Sequence, residues 1–172
     1  MNHILNLGCG GSKIEHIKLE QSNANIIHFD LAKNAEWKNV RGNAECLPFK
    51  DKAFEYSVAS HVIEHVYNPL LVLKELKRVT QKTVMVRVPN ASFYKMVKCN
   101  RSHLYSWNEF TFFNILNLVF PEVKIHKAIM VRQKKHYLKK LLNFALVLFY
   151  NKNELVATCD VHYKRKVTLG FF

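Results

Sequence analysis

Ile4-Leu5-Asn6-Leu7-Gly8-Cys9-Gly10-Gly11-Ser12 is an apolar run that enters a glycine turn, and its reading decides the fold. A strand ending in such a turn brings bare backbone to the carboxyl edge of a sheet. Glycine accepts positive φ there and carries no Cβ to hold a ligand off. Ligands of open α/β sheets sit at that edge, near the point where strand order reverses. Ile26-Ile27-His28-Phe29-Asp30 follows as a second apolar strand ending in a carboxylate. An acid about 20 residues beyond a glycine turn is placed to accept hydrogen bonds from two ribose hydroxyls. Together they predict an adenosine-containing ligand.

What is missing narrows the choice. A dinucleotide fingerprint would need glycine where Lys13 stands, and no Gly-Lys-Ser/Thr closes the turn as in a phosphate-cradling loop. A third signal is Gly42-Asn43-Ala44-Glu45-Cys46-Leu47-Pro48-Phe49, followed by Phe54-Glu55-Tyr56-Ser57-Val58-Ala59-Ser60-His61-Val62-Ile63-Glu64-His65-Val66. Here the chain resembles the class I S-adenosylmethionine-dependent methyltransferases. The likeness is closest to the subgroup reading G-D-A-E-x-L-P-F, then S-F-D-x-V, then H-V-x-E-H. It runs in order from about residue 4 to residue 90. The resemblance implies a doubly wound, mostly parallel seven-stranded α/β sheet, Rossmann-like, with the last strand antiparallel. It also implies S-adenosylmethionine as cofactor.

Carried over position by position, the resemblance sets Asp30 on the ribose hydroxyls, with Leu31 beside it. Asn43 approaches the adenine amino group, and Ala44 offers its backbone N–H. Asn6, Leu7, Gly8, Cys9 and Gly10 line the methionine portion, and Ser60 borders it from the next strand. Two positions depart from the family pattern: Asn6 stands where an acid is common, and Ser12 where a third glycine is common. Asn6 keeps a donor and an acceptor but no charge.

Methyl transfer asks little of a protein, because the sulfonium is already an activated leaving group and in-line placement does most of the work. An oxygen or nitrogen nucleophile also loses a proton, which calls for a base. His61, immediately beyond the fourth strand, is the candidate; the competing reading is that it packs or caps the loop. Some ubiquinone-pathway O-methyltransferases hold a divalent metal with a similar E-x-x-E-H run. Here His61 replaces the first acid of that run ahead of Glu64 and His65, so no metal is expected. The N-P-P-Y/F motif of base amino-methyltransferases is absent, and no cysteine follows a proline as in cytosine C5 enzymes. His103, Tyr105 and Trp107 stand where such folds carry lid residues; they read as acceptor-pocket lining or as a hydrophobic staple.

The chain has 172 residues and is 49% hydrophobic, enough for one domain with an ample core. The expected organisation is a single domain, with a cofactor half of about residues 1–66 and a substrate side of about 67–172. Residues 1–64 hold 7 of the 26 basic and 8 of the 13 acidic residues, leaving 19 and 5 beyond. The cofactor half is near neutral and the rest strongly basic. That points to an anionic acceptor or surface, or to compositional drift in a Lys-, Asn- and Ile-rich chain. No secretory signal is expected from the short apolar run Ile4–Leu7, and no run reaches the ~18 apolar residues of a membrane span. The four scattered cysteines form no C-x-x-C pair, and a reduced cytoplasmic protein is the plain expectation.

Taken in order, strands are expected at 4–7, 26–31, near Val40, at 56–60, 83–88, 123–131 and 154–167. A helix opens at Ser12, another at Asn68-Pro69, and a third at a capping box Ser106-Trp107-Asn108-Glu109. The third should bury Phe110, Phe113, Ile115, Leu116 and Phe120. A helix over 138–150 carries an apolar surface wider than one sheet face needs. Core packing, a homodimer contact and an anionic membrane surface are the three readings of it. The functional expectation is methyl transfer to an oxygen or nitrogen of a small metabolite or of a saccharide- or lipid-linked acceptor. The rivals are an RNA methyltransferase using the basic half, and a non-catalytic S-adenosylmethionine-binding partner protein.

Overall fold

The computed structural model describes residues 3–10, 24–32, 40–91, 102–128 and 154–162. The predicted helices opening at Ser12 and spanning 138–150 lie outside the described residues. So do the ends of the predicted sixth and seventh strands. Within the described residues the elements are β1 (His3–Leu7), β2 (Asn25–Asp30), β3 (Val40–Arg41), β4 (Phe54–Ser60), α1 (Pro69–Val79), β5 (Thr80–Pro89), α2 (Glu109–Asn117), β6 (Glu122–Ala128) and β7 (Glu154–Asp160). All seven strands join one sheet in the order β3-β2-β1-β4-β5-β7-β6. The strands from β3 through β5 are parallel, while β7 inserts between β5 and β6 antiparallel to both. This is the expected doubly wound architecture with its antiparallel last strand.

The sequence explains the burial. Parallel strands covered on both faces read as continuous apolar runs, and Ile4 through Leu7 are all buried. The core continues through Phe29, Ala59, Val84, Val86, Leu155, Ala157 and Cys159, each without exposed surface. Asn68 caps α1 by accepting from the amide of Leu71 at 3.1 Å, and Pro69 occupies a first-turn position where its missing N–H costs nothing. Val72, Leu73, Leu76 and Val79 of α1 are fully buried. Thr80 then passes directly into β5, so that strand begins three residues before the predicted Thr83.

Two expectations about α2 are corrected. The cap is Asn108, not Ser106: its side chain accepts from the Thr111 amide at 2.9 Å while Thr111 Oγ1 accepts from the Asn108 amide. The buried stripe is Phe112 and Leu116, continued by Val119 and Phe120, whereas Phe110 and Phe113 are exposed. Shifting the cap by two residues rotates the face that a 3.6-residue period presents to the core. No described helix is long and apolar enough to cross a membrane.

Candidate functional site

Strand order reverses between β1 and β4, so the carboxyl ends of these strands form the switch point of the sheet. At the end of β1 the chain turns through Gly8 (φ 69°) and Gly10 (φ 46°), both in the left-handed region. Gly8 and Cys9 donate to the Phe29 carbonyl at 2.8 and 3.4 Å, which seats the turn against β2. A Cβ on Gly8 would collide with Val62, whose side chain fills that space from the loop after β4.

Asp30 closes the other side of the turn. Its carboxylate accepts from the Gly10 amide at 2.8 Å and from the Ala32 amide at 3.0 Å, with Cys9 Sγ 3.8 Å away. The acid predicted to face a ribose is thus also the brace that holds the glycine turn open. Leu31, next to it, is 74% exposed. Asn6 is buried and donates from Nδ2 to His28 Nδ1 at 3.1 Å, so here an amide–imidazole pair takes the place of the acid common in the family.

Asn43 accepts from the Glu45 amide at 2.9 Å and shapes the loop that carries Ala44. Sequence reasoning missed what holds that loop down. Glu45 Oε1 accepts from the Asn68 amide at 2.8 Å, and Glu75 accepts from the Leu47 amide at 2.8 Å. Arg78 donates to Glu75, to Asp51, and to the carbonyls of Phe49 and Leu47 at 2.7–3.0 Å. The guanidinium holds the Glu75 carboxyl below the usual carboxylate range, against the opposing effect of burial. The only signal for this in sequence was a Glu and an Arg three apart on α1.

Ser60 ends β4 half-buried, and His61 follows at φ 54°, a left-handed backbone that costs a non-glycine residue about 1–2 kcal/mol. Its amide donates to the Arg87 carbonyl at 2.9 Å. Both ring nitrogens face carboxylates: Nε2 lies 2.8 Å from Glu154 Oε1 on β7, and Nδ1 lies 3.3 Å from Glu64 Oε1. Burial works against charge on this ring, but the hydrogen bond to Glu154 and the facing Glu64 carboxylate outweigh it and raise its pKa to about 9. Glu154, 93 residues away in sequence, could not have been paired with His61 by any spacing rule.

Glu64 is fully buried and its backbone carbonyl accepts from the Leu104 and Tyr105 amides at 2.8 and 3.2 Å. These bonds dock the 102–108 segment beside the end of β4. Trp107 is buried in the core, stacks on Tyr105 at 5.6 Å and packs against Phe112. Tyr105 Oη donates to the Tyr67 carbonyl at 2.8 Å. Trp107 therefore belongs to the packing alternative, while His103 meets the His65 ring at 4.6 Å.

Residues 5–86 match the family described as Methyltransferase domain. Among solved structures the chain is similar to an Archaeoglobus fulgidus SAM-dependent methyltransferase (TM-score 0.64, 16% identity, 92% of this chain and 86% of that one). It is similar to a chain of the Haloferax volcanii complex between the Trm112 methyltransferase activator and its methyltransferase partner (0.69, 12%, 95% and 83%). A Thermotoga maritima SAM-dependent methyltransferase also resembles it (0.67, 15%, 94% and 83%). At these identities the structural likenesses speak for the fold. The sequence matches no curated protein.

Proposed function

We propose that this chain is a class I S-adenosylmethionine-dependent methyltransferase that moves the methyl group of its cofactor onto an oxygen or nitrogen of a small, anionic or carrier-linked acceptor. The observation that carries the reading is the convergence at one sheet edge of the Gly8–Gly10 turn, the Asp30 carboxylate and the Ser60–His61 strand end. Glycines at positive φ let a ligand approach the backbone, and Asp30 and Asn43 offer acceptors for ribose and adenine. Asn6, Leu7, Cys9, Leu31 and Ala44 complete the proposed cofactor contacts. S-adenosylmethionine supplies the electrophilic methyl when bound, and the chain's own residues position the nucleophile and handle its proton.

His61 is the proposed residue for that proton, acting inside a Glu64–His61–Glu154 chain rather than as an isolated base. With both ring nitrogens engaged, it accepts a proton only by passing one to a neighbouring carboxylate. The basic half of the chain supports an acceptor bearing phosphate or carboxylate.

A methyl-donor assay over metabolite and RNA pools, run beside calorimetry with S-adenosylmethionine, tests this. His61→Ala should lower turnover by roughly 10²-fold or more with cofactor affinity nearly unchanged. Methylation confined to RNA would move the acceptor to the nucleic-acid class. Cofactor binding without transfer to any pool would make the chain a binding partner.

A further inference from the structure

We infer that Arg87 on β5 is a positioning residue for the proton-handling chain beside β4. Its guanidinium shares the Glu154 carboxylate with His61, and so governs how readily the imidazole releases its proton. The inference rests on the reading of His61 as the residue that handles the acceptor's proton.

Sheet order puts Arg87 where it can do this. β5 lies between β4, which leads into His61, and β7, whose first residue is Glu154. Arg87 is level with Ser60 of β4 on one side and with Val156 of β7 on the other. It reaches His61 by two routes. Its carbonyl accepts from the His61 amide at 2.9 Å, which supports the left-handed backbone at φ 54°. Its Nε lies 3.8 Å from Glu154 Oε2, while Glu154 Oε1 lies 2.8 Å from His61 Nε2. One carboxylate thus stands between two cations, with an oxygen toward each.

Charge balance gives this arrangement its consequence. The side chains of Glu64 and Glu154 are 1% and 4% exposed, against 28% for His61 and 25% for Arg87. Carboxylates sealed from water need cations to face them. With His61 alone the cluster would carry one negative charge in excess, and Arg87 brings it to two of each sign. Two more imidazoles approach Glu64: His65, whose Nε2 lies 4.0 Å from Oε1, and His103, which burial holds below the usual imidazole range.

Glu154 and Glu64 both favour charge on the His61 ring. A ring that answered two carboxylates by itself would hold its proton too firmly to exchange it near neutral pH. A guanidinium stays charged throughout the working pH range. By drawing on Glu154 and by opposing a second positive charge nearby, Arg87 limits that hold.

The test follows the His61 imidazole by NMR in the full chain, titrated from about pH 6 to 11. The resonance is assigned by its loss in His61→Ala. In the wild type its midpoint should lie at about 9. Arg87→Met should move the midpoint up by roughly one unit, and Arg87→Lys should keep it near the wild-type value. An unchanged midpoint in Arg87→Met overturns the inference. So does a fall, because it would mean that Arg87 merely holds Glu154 in place. Arg87→Gln is read instead if circular dichroism shows that Arg87→Met misfolds. With an acceptor from the methyl-donor assay, the pH–turnover curve should shift to alkaline pH in step with the midpoint. A midpoint that moves while turnover does not would overturn the role of His61 and leave the hold of Arg87 on the ring intact.

Discussion

Two carboxylates stand at the carboxyl edge of the same sheet in opposite conditions. Asp30, at the end of β2, accepts from two backbone amides and is partly open to solvent. Glu64, beyond β4, is sealed from solvent with no hydrogen bond to either oxygen. The first is finished by the chain itself: a glycine turn supplies N–H donors at close range, and the acid in return holds the turn. The second is faced by the His61 ring, whose Nδ1 lies 3.3 Å from Oε1. A ligand at the Asp30 edge meets a pre-organised surface, whereas Glu64 acts inside the fold and helps to hold charge on His61.

The variant expected to do most damage tests how far these regions are independent. Gly8→Ala places a Cβ against Val62, which lies two residues before Glu64, and forces alanine into φ 69°. Strain plus overpacking should cost about 2–4 kcal/mol of stability, read as a lower denaturant midpoint. If cofactor affinity and the His61-dependent turnover both fall in the variant that still folds, the regions are coupled through that contact. If only the cofactor affinity falls, they are separate.

Asp30→Ala addresses the satisfied carboxylate alone. Loss of a charged acceptor facing two hydroxyls should weaken S-adenosylmethionine binding by about 1.5–3 kcal/mol, measured by calorimetry. Equal cofactor affinity in the mutant would remove Asp30 from the site and leave it as a brace of the turn.

The smallest expected effect lies at Glu75, a carboxylate finished by a guanidinium rather than by backbone. Its folded-state pKa is depressed, chiefly by the hydrogen bond from Arg78. It therefore stabilises the fold above the unfolded glutamate pKa, and that contribution is lost as pH falls through the lower folded value. Arg78→Leu should cost about 1–2 kcal/mol at neutral pH, discounted for the partly exposed pair, and flatten the acid limb of stability against pH. Chemical denaturation between pH 3 and about 7 measures both. An unchanged acid limb would mean the pair is screened by solvent.

The cofactor side was the more legible region because its signals are local. Gly8, Gly10, Asp30 and the Asn68-Pro69 helix start each act through their own backbone or through a neighbour at a family-typical spacing. The β4 side was less legible because its partners come from afar. His61 was read as a base from its place after β4, yet Glu154 on β7 and Glu64 on its own loop decide its charge. His65 and His103 meet only because the 102–108 segment docks on the Glu64 carbonyl.

The start of α2 shows the same limit at shorter range. Ser106-x-x-Glu109 satisfies a capping pattern as text, but Trp107 pairs with Asn90 as an isolated bridge and is buried, which defers the helix to Asn108. A helix face is set by where its first turn closes, and tertiary contacts chose that point.

By itself the sequence determined where the first strands lie along the chain, the glycine turn and the acid opposite it. Apolar periodicity, positive-φ glycine and the reach of a carboxylate are properties of residues close along the chain. Only the tertiary structure decided which charges face one another: Arg78 with Asp51 and Glu75, and His61 between Glu64 and Glu154. Coulomb and hydrogen-bond energies depend on distance in space and on the dielectric around the pair. Both are settled when the sheet brings β7 beside β5 and the core closes over the ends of the strands.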